Sequence, residues 1–171
     1  MATRIVGNDE IHRELLPAIQ GAREFLWIGT ADIKDMQVRN KGKVVSFLSV
    51  LNDLLKRNVS IRLLHAREPG ENFRKSFDRH PRLWDQMERQ LCPRVHFKII
   101  VVDGTFAYTG SANVTGAGMG MKSVIRRNFE SGLITDEPAM VASVMDQFDS
   151  VWMGSFCKAC GRSDYCGDTI I

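Results

Sequence analysis

His96, Lys98, Asp103, Gly110, Ser111 and Asn113 fall in one short window and together supply the parts of a phosphate-handling site. On an extended segment, His96 and Lys98 point to the same face, two rises of ~3.3 Å apart. That sets an imidazole, able to act as nucleophile or as acid and base, beside an ammonium. Asp103-Gly104 is a hairpin-turn pair, which folds Gly110 to Asn113 back beside the start of the first strand. Gly110 allows close backbone approach, while Ser111 and Asn113 add a hydroxyl and an amide. Donors gathered without a carboxylate cluster suit a phosphoryl oxygen. Taken singly, each feature is ordinary: His-x-Lys is common on strands, Asp-Gly usually marks a turn, and Gly-Ser-x-Asn usually marks a loop. Taken together, the specified positions agree by chance on the order of once in tens of millions of windows.

The spacing His96-x-Lys98-x4-Asp103-x6-Gly110-Ser111-x-Asn113 resembles the HKD signature of the phospholipase D superfamily. The resemblance covers roughly residues 9–153 and looks like the small, single-motif members of the bacterial endonuclease type. It implies a two-step, metal-independent attack on a phosphodiester. His96 would be the nucleophile, forming a phosphohistidine, and the histidine of a second motif would protonate the leaving oxygen. Lys98 and Asn113 would hold the phosphoryl oxygens, with Ser111 assisting by hydrogen bonding. Glu130, in Asn128-x-Glu130, occupies the position of the family glutamate that orients the catalytic imidazole. Asp103 and Gly110 belong to the structure of the motif. The chain carries one such motif, because none of His12, His65 and His80 has the accompanying Lys and Gly-Ser-x-Asn. A homodimer that brings two copies of His96 face to face across a two-fold axis completes the pair.

Elements that must position these residues can be read from periodicity. Asn8 or Asp9 caps a helix with apolar positions Ile11, Leu15 and Ile19, in which Pro17 predicts a kink or an early stop. Glu24 to Ile33 reads as a buried strand, and Asp35 to Lys43 as a polar loop. Phe47, Leu48, Leu51, Leu54 and Leu55 mark an amphipathic helix ending near Asn58. Val59 to Leu64 reads as a strand, and Glu71 to Gln90 as two short helices broken at Pro81. The strongest strand is Val95 to Val102, with Thr105 to Thr109 returning antiparallel across Asp103-Gly104. Asn128 to Ile134 reads as a further strand. Asp136-Glu137-Pro138 opens a last helix with a stripe at Val141, Val144, Met145, Phe148, Val151 and Trp152, which Gly154 ends. The order is α/β: a phospholipase D-like mixed β-sheet flanked by helices on both faces, with one HKD motif per chain.

With 171 residues, 44% hydrophobic and 25% charged, the chain has the size and composition of one globular domain. No apolar run is long enough to span a membrane, and the first residues lack a secretory leader, so the expected setting is cytoplasmic. The net charge of +3 permits a polyanionic partner without requiring one. Basic residues gather at Arg39, Lys41 and Lys43, at Arg74, Lys75, Arg79 and Arg82, and at Lys122, Arg126 and Arg127. The last group lies in a glycine-rich loop, 115–127, immediately after Asn113, where it can meet phosphates flanking the scissile one. Nucleic acid is therefore favoured as substrate, since no amphipathic or apolar surface segment for lipid is evident. A phospholipid phosphodiesterase is the alternative within enzymes. A nucleic-acid-binding module that needs a partner for activity is the alternative outside them.

The division read from the sequence is a phospholipase D-like catalytic domain over 1–153 and a cysteine-rich tail over 154–171 packed on it. Cys157-x2-Cys160-x5-Cys166 lies in that tail, and Cys92 just precedes the catalytic strand. Four cysteines, one pair at knuckle spacing, suit a structural zinc ion ahead of an iron–sulfur cluster. The sequence leaves open whether Cys92 is the fourth ligand. The phosphodiester chemistry itself would use no metal.

Overall fold

The computed structural model describes residues 3–167. Nine strands and five helices are assigned among them: β1 (Arg4–Gly7), α1 (Asp9–Gln20), β2 (Phe25–Thr30), β3 (Gln37–Asn40), β4 (Lys43–Ser46), α2 (Phe47–Lys56), β5 (Ser60–His65), α3 (Glu71–Asp78), α4 (Pro81–Gln86), β6 (Met87–Leu91), β7 (Lys98–Val102), β8 (Phe106–Gly110), β9 (Ser131–Thr135) and α5 (Pro138–Trp152). Seven strands form one mixed sheet in the order β1-β9-β8-β7-β2-β5-β6, while β3 and β4 pair separately. β2, β5 and β6 run parallel, and β2-β7, β7-β8, β8-β9 and β9-β1 are antiparallel.

Alternation along β7 divides the core into two layers. Ile100 and Val102 pack with α1, α2, α3 and α4, whereas Ile99 and Val101 pack with Val141, Val144 and Phe148 of α5. Side chains of period two thus feed one face to four helices and the other to a single long one. The sheet is buried on both faces, as the near-continuous apolar run of β7 requires. The α/β class with helices on both faces is what the sequence pattern predicts.

Several local readings differ. α1 runs through Pro17 to Gln20 without stopping, because Pro17 lies on the exposed side while Ile11, Leu15, Leu16 and Ile19 are buried on the other. Water can solvate the carbonyl that the proline leaves without a donor. The polar stretch read as a loop is the β3–β4 hairpin. Lys41 and Gly42 both adopt positive φ, 49° and 78°, as a tight two-residue hairpin turn demands. Residues 87–90, read as helical, belong to β6, an edge strand paired only with β5. Its charged Glu88 and Arg89 suit an edge, where unpaired backbone must be kept from other chains. β1, which the sequence reading omits, caps the opposite edge against β9.

Candidate active site

β7 and β8 are in register with Lys98 opposite Gly110, so the end of that hairpin away from the Asp103-Gly104 turn gathers the motif. The strand begins at Lys98, and His96 lies just before it rather than within it. Phe97 accounts for the break. Its ring lies over Gly29 of β2, where a Cβ would come within 2.5 Å of it. His96 is left exposed beside this anchor, while Lys98 is 6% exposed.

The Lys98 Nζ donates to the His96 carbonyl at 2.6 Å and lies 3.4 Å from His96 Nδ1. Burial pushes the ammonium below the usual lysine range, and the nearby Glu130 carboxylate partly offsets this. Imidazole and ammonium are therefore held side by side, as the His-x-Lys spacing requires.

Ser111 Oγ donates a short hydrogen bond to Glu130 Oε2 and accepts one from Ser131 N at 3.1 Å. Asn128 Nδ2 donates to Glu130 Oε1 at 2.8 Å, and Glu130 N donates to Asn8 Oδ1 at 3.3 Å. The carboxylate is thus bound by Ser111 and Asn128, not by the imidazole that the family resemblance would have it orient. The register explains this: β9 starts at Ser131 and pairs with β8 through Gly132 opposite Gly110, which brings Glu130 against Ser111. Close approach of these strands depends on Gly110 and Gly132. A Cβ on Gly110 would lie 2.5 Å from the Tyr108 hydroxyl, and one on Gly132 would lie 2.3 Å from its ring. Tyr108 fills that space, accepts from Ala112 N at 3.3 Å, and has its phenol pushed up to about 12 by burial.

Asn113 is held by its carbonyl end, whose Oδ1 accepts from Asp32 N and lies within hydrogen-bond reach of Thr30 Oγ1, each at 3.2 Å. Its amide N–H groups are then the end suited to an oxyanion. Thr30, Asp32 and Asn128 are positioning residues that motif reading alone did not supply. The signal for Asn128 was present in the Asn-x-Glu pattern. That for Thr30 was not, because Thr30 and Asn113 lie 83 residues apart in the chain.

Asp103 lies at the far end of β7. With φ of 53°, it turns its carboxylate back to accept from Arg23 N, Glu24 N and Phe25 N at 2.8–3.2 Å. It ties the hairpin turn to the start of β2. Of the loop cations, Lys122 and Arg126 are exposed, while Arg127 is paired with Asp9 of α1 at 3.5 Å. Lys122 and Lys34 line a cavity of about 310 Å³ together with Thr115 and Gly116. The structure also exposes an apolar group that the sequence reading did not find: Val124, Ile125 and Phe129 are 73%, 90% and 98% exposed, and Phe129 adjoins Glu130.

Cys92, Cys157, Cys160 and Cys166 all line one cavity of about 230 Å³. None is in a disulfide. Among the described residues, no three His, Cys, Asp or Glu side chains are grouped so as to hold a metal ion. The predicted zinc centre is therefore not present as a formed ligand set. Two of the sulfurs have local partners: Arg94 donates to Cys160 Sγ at 3.6 Å, and Cys166 Sγ donates to Leu91 O at 3.6 Å. The Cys160 thiol lies below its usual range, chiefly through the Arg162 backbone and then Arg94.

The family described as cardiolipin synthase, PLD-like domain, matches residues 15–152. The chain belongs to the phospholipase D superfamily. Its fold is similar to that of Nuc from Salmonella typhimurium, a phospholipase D family member, with a TM-score of 0.65 at 16% identity over 89% of this chain and 94% of that one. NucT from Helicobacter pylori gives 0.64 at 13% identity, over 88% and 95%. Phosphatidylserine synthase from Haemophilus influenzae gives 0.62 at 12% identity, over 87% of this chain but 38% of that one. No curated protein matches the sequence. Among the described residues no helix is long and apolar enough to cross a membrane.

Proposed function

We propose that this superfamily member is a phosphodiesterase that cleaves DNA or RNA through a phosphohistidine, without a metal at the reacting phosphate, in a site completed by a second copy of the chain. The observation that carries the proposal is the convergence of exposed His96, buried Lys98 and the Ser111–Glu130 pair at one end of the β7–β8 hairpin. Nuc and NucT are matched over almost their whole length and the synthase over 38% of its own, which supports a unit of the size of the first two.

In the first step an imidazole nitrogen of His96 forms a bond to phosphorus as the P–O bond to the leaving oxygen breaks. The second copy's His96 gives that oxygen its proton. In the second step water attacks the phosphohistidine, the same second histidine takes the water's proton, and the P–N bond breaks. Lys98 and the Asn113 amide offset the charge that develops on the nonbridging oxygens. Lys122 and Arg126 are proposed to meet flanking phosphates, whereas Arg127, also expected to do so from the sequence, is held by Asp9 and is left out of that set.

The test is cleavage of labelled single-stranded DNA, duplex DNA and RNA in EDTA by wild type and His96→Ala, with the molar mass measured on the same sample. Cleavage by a dimer that survives chelation and is lost with His96 is the expected result. No turnover of any strand by a folded dimer overturns it, and a strict monomer with full activity overturns the shared site.

One observation favours a second reading. Val124, Ile125 and Phe129 are exposed apolar side chains in the segment that leads to Glu130, and such side chains can meet acyl chains. If phosphatidylcholine or cardiolipin vesicles are hydrolysed and nucleic acids are not, the substrate is lipid.

A further inference from the structure

We propose that Cys92, Cys157, Cys160 and Cys166 together bind one thiophilic divalent metal ion of the zinc type, clamping the segment after α5 onto the residues that lead into β7. This inference does not rest on the phosphodiesterase reading.

All four cysteines of the chain line the same cavity, although one precedes β7 and three follow α5. The rest of the wall narrows the ligand. It contains no carboxylate, so hard cations that prefer oxygen find no charged ligand there. Val95, Phe97, Val151 and Phe156 make much of it apolar. Arg94 and Arg162 are its charged members. Four thiolates around a divalent ion carry two net negative charges, and two guanidiniums balance them. The Arg94 contact to Cys160 Sγ, at 3.6 Å, is the N–H···S bond that commonly supports a metal thiolate.

The thiols surround the cavity without meeting at a point, so binding requires the tail to draw inward until each sulfur reaches ~2.3 Å from the ion. The backbone over Gly154–Gly167 consists of turns and one short 3-10 segment, Ser163–Tyr165, which can make that adjustment. Cys166 would give up its bond to the Leu91 carbonyl on losing its proton. Each thiol that ligates releases one proton and no electron is exchanged. The clamp reaches the candidate active site directly, because Val95 and Phe97 flank His96 and line this cavity.

Metal content of the full chain, purified without chelator, is the first measurement, followed by Co2+ titration of the metal-stripped wild type. We expect about one zinc per chain, released by a thiol-specific mercurial, and thiolate-to-cobalt charge-transfer absorption saturating at one equivalent. Cys92→Ser and Cys166→Ser should each lower the retained metal at least tenfold. Because the cobalt titration uses the wild type, a variant that fails to fold does not decide the matter. Four freely alkylated thiols with no metal and no cobalt band overturn the proposal. So do two disulfides found by mass, or acid-labile sulfide with iron.

Discussion

The two ends of β7 carry residues of the same sequence motif and are built for opposite purposes. At one end Lys98 is buried beside an exposed imidazole, and its burial disfavours the charge it holds. At the other, Asp103 takes three backbone N–H groups at the start of β2 and sits in a turn that its positive φ closes. One end costs stability and carries the proposed chemistry, while the other supplies stability. The motif, in which Asp103 is read from the sequence as structural, is two devices joined by a five-residue strand. Substitutions at the two ends should separate activity from folding.

The largest separation is expected at His96. It is exposed, and its contacts are those it makes with Lys98. His96→Ala should lower phosphodiester cleavage by at least ~10⁴-fold, the scale of losing a covalent nucleophile. The melting temperature should stay within about 2 °C, as for surface changes. A variant that retains a tenth of wild-type turnover would remove His96 from the mechanism.

Lys98→Met should reduce turnover by about 10²- to 10³-fold, the usual consequence of losing a charged donor to a developing oxyanion. Its effect on stability should have the opposite sign. Burial holds the folded-state pKa of Lys98 below that of the unfolded chain, so the unfolded state binds the proton more tightly. Below the folded pKa the penalty is present in full, and it fades as pH rises from the folded toward the unfolded value. Methionine removes the penalty at neutral pH, and a rise of about 2–4 °C in melting temperature is expected. That advantage should shrink in alkaline buffer. A fall in melting temperature at pH 7 would show that the bond to the His96 carbonyl outweighs desolvation.

Asp103→Ala reverses the pattern. Losing a carboxylate that serves three backbone donors should cost about 3 kcal/mol, lowering the melting temperature by about 6–12 °C. Turnover per folded molecule, measured well below the transition, should change less than about tenfold. A thousandfold loss in a fully folded Asp103→Ala sample would erase the distinction between the two ends.

How far this was visible in the sequence follows from the range of the interactions. His96, Lys98, Ser111 and Asn113 could be grouped because an Asp-Gly turn makes their proximity local. Two-layer packing was legible from alternation in β7 and from the α5 stripe. Glu130 is legible by its position and Asn128 by the Asn-x-Glu pattern, but the Ser111–Glu130 contact depends on the β8–β9 register, which no local pattern encodes. The partners of Asp103 are hidden in the same way: the dipeptide announces a turn, while the N–H groups that donate to its carboxylate lie 78 to 80 residues away in the chain. The β3–β4 hairpin escaped because Lys41-Gly42 is a weaker hairpin signal than Asn-Gly. β6 escaped because an edge strand needs few apolar residues.

The smallest effect compares two cations in the loop that follows Asn113. Arg127 is paired with Asp9 and is 22% exposed in its side chain, whereas Lys122 is exposed at the rim of the cavity it shares with Lys34. A cation already satisfied by a carboxylate releases little counterion when a phosphate arrives, and a pair open to solvent on its Asp9 side contributes about 0–1 kcal/mol to folding. Lys122→Gln should therefore weaken duplex binding at low salt and reduce the slope of log K against log salt by about 0.9, the value for one phosphate contact. Arg127→Gln should leave that slope unchanged and lower the melting temperature by at most about 4 °C. Equal slope changes in both variants would mean that Arg127 leaves Asp9 for the nucleic acid, making the start of α1 part of the binding surface.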